Sequence, residues 1–148
     1  MATTYDFSAG TTIVGAKVPI IPTPQEDTLF ILRNIIDFSK QNLSGAALDI
    51  AQVLDIPAGT VVMTAWIRVI TADNGGVTCT LGVGTSAAEW GTALDCTSVA
   101  GSILGATNDW VPLYFSAADT IDMVTGVGTF DTFKCEVVAV CLKVMDTY

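Results

Sequence analysis

The stretch from Asp55 to Gly76, DIPAGTVVMTAWIRVITADNGG, constrains this chain more than any other. It opens on a turn, with Pro57 setting the corner and Gly59 relieving it. It closes on Asn74-Gly75, the dipeptide that most strongly signals a tight reversal between β segments, so a hairpin is expected there. Between them runs a strand, Thr60 to Thr71, whose side chains alternate across a sheet. Strict alternation puts Val61, Met63, Ala65, Ile67 and Val69 on one face and Val62, Trp66 and Ile70 on the other. A strand with one solvated face carries polar residues on it. Here both faces need cover.

A packed second sheet covers one face. The other is covered by a neighbouring chain, or from within by the chain's own N-terminal arm or second sheet. Composition bears on the choice: apolar residues make up 51% of the chain and charged ones 14%, against about 25% charged in an average domain. So few charges mean a surface rich in Thr, Ser and Asn, or one buried against other chains; both are expected, the association being a trimer or another closed oligomer. The candidate contact residues are Val62, Trp66 and Ile70 on the strand, the loop tryptophan Trp90, and the aliphatic residues Ile13, Val14, Val18, Ile20 and Ile21 near the N-terminus.

Those last residues belong to a segment unlike the rest. Residues 1–27 hold Pro19, Pro22 and Pro24 within a few positions, and proline cannot donate to an interior ladder. An extended arm is expected over 1–27, with a short strand near Thr12 to Lys17, followed by a β-domain over 28–148. In that domain TLFILRNIIDF reads as a strand, and ALDIAQVLDIP alternates with Leu48, Ile50, Gln52, Leu54 and Ile56 on one side. VTCTLGVG places Val77, Cys79, Leu81 and Val83 inward and a threonine row outward. Thr85 to Asp109 reads as a long connection holding a short strand or helical turn. DWVPLYF and DTIDMVTG are strands split by the SAAD corner, and TFKCEVVAVCLKVM ends the chain with a strand apolar on both faces. The fold class expected is all-β, an antiparallel β-sandwich of jelly-roll-like form with an extended N-terminal arm.

Chemistry is sparse. The chain has no histidine, the commonest general base, and no serine or cysteine lies in a nucleophile motif. GVGTS lacks the lysine of a phosphate loop and reads as a glycine bulge. Asp119 and Asp122 are too few for calcium. Trp66, Trp90 and Trp110 read as core or interface anchors rather than a sugar platform. Neither enzyme nor cofactor is expected. Cys79, Cys96, Cys135 and Cys141 show no CxxC pair and read as buried, reduced thiols. The formal charge of −9, with six scattered bases, argues against nucleic acid or an anionic membrane as partner. No run is long enough to cross a bilayer. MATTYDFSAG lacks the pattern of a secretory signal, so synthesis and retention in a cytosol are expected.

Three further stretches carry a resemblance. IIDFSKQNLSGAALDIAQVLDIPAGTVVMTAWIRVITA, the VGTSAAEW loop and LYFSAADTIDMV together resemble small virion structural proteins of tailed bacteriophages, over about Ile35 to Met145. The shared pattern is an Asp-Phe-Ser segment, a D-I-P-A-G-T turn into a strand and an A-A-D-T-I turn. Ala46 and Ala47 stand where such proteins often carry a polar Gly-Asp, which puts the start of that strand in question. The resemblance implies a head decoration or cement protein, trimeric, on the outer capsid surface against the major capsid protein. It equally admits a head-fibre or tail module that binds a receptor or carbohydrate through Trp90 or Trp110.

Overall fold

A computed structural model describes residues 4–14, 28–40, 43, 48–84, 89–105 and 112–144. These residues form β1 (Thr4–Asp6), β2 (Thr12–Val14), β3 (Thr28–Asp37), β4 (Ile50–Ile56), β5 (Thr60–Thr71), β6 (Thr78–Gly82), β7 (Gly91–Asp95), β8 (Ile103–Leu104), β9 (Leu113–Phe115), β10 (Asp119–Val127) and β11 (Lys134–Lys143). One sheet of five strands has the order β1-β4-β10-β6-β7. A second, of six, has the order β2-β3-β11-β5-β8, with β9 beside β8 on β5. Every pairing is antiparallel except β1 with β4. The two sheets pack face to face as the expected sandwich. The chain crosses between them after β1, after β3, at the Pro57 corner, after β5, after β7, at the SAAD corner and after β10, a jelly-roll-like layout.

The crossing after β5 corrects the expected hairpin. β5 pairs with β11, β8 and β9, whereas β6 pairs with β10 and β7 in the other sheet. The physical reason lies in Asp73, which is 4% exposed. One carboxylate oxygen accepts from the backbone N–H of Gly75 at 2.9 Å. The other accepts from the N–H groups of Asp131, Thr132 and Phe133 at 2.9, 3.1 and 3.2 Å. This carboxylate ties the Asn-Gly loop to the β10–β11 turn instead of letting β5 fold back on itself. Gly76 then completes the bend in a left-handed conformation that β-branched residues avoid.

A second correction concerns β5. On β11, Val140 stands opposite Thr64 and Cys141 opposite Val62, which leaves Met63 as an extra residue. This bulge reverses the alternation midway along the strand. Val62 therefore points inward with Ala65, Ile67 and Val69, all fully or almost fully buried. The outer face keeps Val61, Thr64, Trp66, Arg68 and Ile70. A bulge at Val53 does the same on β4, so Ala51, Val53, Leu54 and Ile56 are all buried. Leu48 lies outside that strand and is more than half exposed.

The core between the sheets is aliphatic in the middle and aromatic at one end. Phe38 stacks on Phe130 and Phe133 with ring centres 4.9 and 6.0 Å apart, and Phe7 meets Phe38 edge-on at 5.2 Å. Phe7 brings with it the start of the segment expected to be an arm. Within it, residues 4–14 supply an edge strand to each sheet, β2 falling where a short strand was expected and β1 being additional, and buried Asn34 fastens them. Its amide donates to the carbonyls of Phe7 and Val53 at 2.7 and 2.9 Å. Residues 15–27, with Val18, Ile20 and Ile21, lie outside the described residues. All four cysteines are buried and unbridged, in line with the sequence.

Candidate interaction surface

The outer faces of the two sheets differ. On the five-stranded sheet, Gln52, Thr78, Thr80 and Thr120 face outward as expected from the threonine row, with Val124 opposite Thr80 and the exposed Val127 opposite Thr78 among them. Asp122 lies among them at 5% exposure and accepts from the Thr120 hydroxyl at 2.7 Å. Burial pushes its carboxyl above the ordinary carboxylate range. Asp119 accepts from the N–H of Thr120. No group of three acidic or cysteine side chains converges as a metal site among the described residues.

The six-stranded sheet turns an apolar face outward, and register places its side chains in rows. Leu142 of β11 stands between Leu29 of β3 and Val61 of β5, and Val61 in turn meets Tyr114 of β9. Val140 stands between Ile31 and Thr64, and Val138 between Arg33 and Trp66. Glu136 stands between Ile35 and Arg68, and Arg68 meets Ile103 of β8. Leu29 is 62% and Ile35 50% exposed, with Ile103 and Tyr114 close to half. Contiguous apolar exposure of this kind, unlike scattered surface leucines, marks a contact surface.

A charged cluster sits within that face. Arg33 Nε lies 3.3 Å from Glu136 Oε1, and Arg68 donates to Oε2 from Nε at 2.8 Å with Nη2 also at 2.8 Å. The glutamate side chain is 8% exposed and the two arginines 44% and 48%. A buried carboxylate is tolerated only when paired and hydrogen-bonded, and both arginines supply that. At the end of the same face Lys134 stands opposite Asp37. The hydroxyl and N–H of Ser39 hold Asp37 below the usual carboxylate range, with Lys134 adding to the effect.

The expected contact residues divide into three sets. Trp66 and Ile70 lie half-buried on the outer face, as alternation anticipated. Val62 and Trp90 do not: Val62 was turned inward by the Met63 bulge, and Trp90 is 2% exposed in the core, its indole N–H without a partner among the described residues. Ile13 and Val14 belong to β2, the edge strand of the same sheet beside β3. Val18, Ile20, Ile21 and Trp110 lie outside the described residues. The alternation of β3 and β11 carried the signal for Leu29, Ile31, Ile35, Val138, Val140 and Leu142. The register that assembles them with β5 into one face is not written in any single strand.

No family model matches the chain, and no curated protein matches it. Solved structures do. A chain in the capsid of Ralstonia phage GP4 matches with a TM-score of 0.64 at 14% identity, covering 99% of this chain and 100% of that one. A chain in the capsid asymmetric unit of cyanophage Pam1 matches with a TM-score of 0.57 at 13% identity, over 88% of this chain and 96% of that one. A third, in the acid-stable capsid of the Helicobacter pylori bacteriophage KHP30, has a TM-score of 0.54 at 8% identity, over 89% and 92%. At these identities the likeness is one of fold. The sandwich is shared, nearly end to end, with chains found in three phage capsids.

Proposed function

We propose that this chain is a non-enzymatic structural protein of a tailed-phage virion. Its role is that of a decoration or cement protein, made in the host cytoplasm and held on the outer surface of the head. It acts as a homo-oligomer, a trimer, in contact with the major capsid protein. The observation that carries this reading is the apolar outer face of the six-stranded sheet, in a fold that recurs in chains of phage capsids. Full burial of a leucine or isoleucine side chain is worth roughly 1.5–3 kcal/mol. Leu29, Ile35 and Ile103, each about half exposed, would recover a good part of that against a partner. Contacts of that size, repeated across a lattice, stabilise a shell without any chemistry. Residues 15–27, apolar and proline-rich, suit an extended segment that adds to the same contact.

The receptor- or carbohydrate-binding reading rested on Trp90 or Trp110; Trp90 is enclosed in the core, and Trp110 lies outside the described residues. Labelling the protein on intact virions and imaging them by electron microscopy tests the proposal. Density distributed over the head in fixed ratio to the major capsid protein is expected. Density confined to the tail, or absence from purified virions, refutes it.

A further inference from the structure

We propose that Cys79 and Cys96 form a disulfide site, a pair of thiols that stays reduced in a cytosol and closes into one bond in an oxidising medium. Cys79 lies on β6 opposite Leu94 of β7. Cys96 follows β7, and its N–H donates to the Val77 carbonyl at 3.0 Å, so the two cysteines are diagonal neighbours on adjacent strands. Both belong to the core, both are 0% exposed, and their Sγ atoms lie 3.5 Å apart. A disulfide needs about 2.05 Å, so the sulfurs have to approach by about 1.5 Å. Rotation about the Cα–Cβ bonds supplies part of that. The rest falls to β7, an edge strand hydrogen-bonded to β6 alone among the described residues and therefore free to shift.

The other thiols do not compete. Cys135 and Cys141 lie well apart along β11 in the facing sheet, and neither makes a thiol–thiol contact. The contact with Cys79, together with burial, holds the Cys96 thiol above its ordinary range. Attack on a disulfide needs a thiolate, so the pair is inert in the closed core and the bond forms as the chain folds or as β7 opens locally. The chemistry is exchange with a small disulfide such as oxidised glutathione. One cysteine loses its proton and displaces a glutathione thiolate, and the other then loses its proton and displaces the second from the mixed disulfide. Two electrons pass to glutathione, which ends as two thiols. The bond joins positions 17 residues apart and closes a loop that carries β7 and buried Trp90. An edge strand is held by pairing on one side only, so the bond restrains the part of the sheet that opens most readily. Only the timing rests on the virion role proposed above: reduced during synthesis in a host cell, bonded in a released particle.

The test refolds the reduced full-length chain by dilution from urea into a glutathione redox buffer, with a second sample kept unfolded in urea in the same buffer. Both are quenched with acid, alkylated and mapped by mass spectrometry. The folded sample is expected to hold a bond between Cys79 and Cys96, with Cys135 and Cys141 free. Its equilibrium should lie about 100-fold further toward the bond than that of the urea sample, as the closure entropy of a loop of this length gives. The oxidised protein should melt about 6–12 °C above the reduced one. Cys79→Ala and Cys96→Ala should each abolish both the bond and the difference in melting. Folded protein that stays fully reduced, a bond that includes Cys135 or Cys141, or an oxidised form that melts no higher than the reduced one overturns the assignment. Absence of the protein from purified virions is a separate failure, which leaves the bond standing and removes its timing.

Discussion

Asp73 is the residue whose loss should be felt most for its size. Replacing it by alanine removes the acceptor for four backbone N–H groups, those of Gly75, Asp131, Thr132 and Phe133. Each buried donor left without a partner costs about 1–3 kcal/mol. The loop partly opens to water once freed, so the four do not add in full, and a loss of about 3–5 kcal/mol is expected. Against a typical stability of about 5–15 kcal/mol, that is a large fraction. At roughly 2–4 °C per kcal/mol for a domain of this size, it lowers the melting temperature by about 6–20 °C. Asp73→Asn should be milder, near 1–2 kcal/mol. Its amide oxygen can still accept from the three turn residues, while its NH₂ faces the N–H of Gly75. Equilibrium denaturation of both variants with matched m-values is the assay. An Asp73→Ala loss under about 1 kcal/mol, or equal losses for the two variants, refutes the view that this carboxylate holds the crossing between the sheets.

Three further outcomes are expected. Because burial raises the carboxyl of Asp122, its proton binds the folded state more tightly than the unfolded one, so the favourable contribution is full below the ordinary carboxylate pKa and is lost as pH rises through the folded value. Asp122→Asn should therefore gain on wild type at neutral pH and lose that advantage as pH falls toward 4, and a pH-independent difference in denaturation midpoints would contradict it. The cysteines should react with a thiol reagent only after denaturation, since Cys141 is pushed up to about 12 by burial and Cys96 and Cys135 are raised as well. Rapid labelling of the native protein would show otherwise. Deleting residues 1–14 removes β1, β2 and the Phe7 contact and should cost on the order of 3–5 kcal/mol. Exchanging residues 15–27 for an equally long Gly-Ser linker should leave the melting temperature near wild type while weakening assembly, and the reverse ranking would place the structural role in 15–27.

What the sequence determined by itself is what repeats locally. Alternation with a period of two marked the strands, the inward run Val77, Cys79 and Leu81, the buried cysteines and the two-faced character of β5 and β11, because a side chain's direction on a strand depends only on its neighbours in the chain. The tertiary structure decided everything that depends on distant partners. Asn74-Gly75 has the chemistry of a hairpin, yet Asp73 binds backbone nearly sixty residues away and sends the chain to the other sheet. Val62 faces the core because the pairing with β11 leaves Met63 over, and such a bulge is a property of two strands rather than one. Trp90, in a stretch of small residues, read as a core or interface anchor without the sequence choosing between them, and packing put it in the core. The apolar face has the same origin: β3, β11 and β5 each carry a third of it, and only their register brings Leu29, Leu142 and Val61 into one row and sets Glu136 between two arginines.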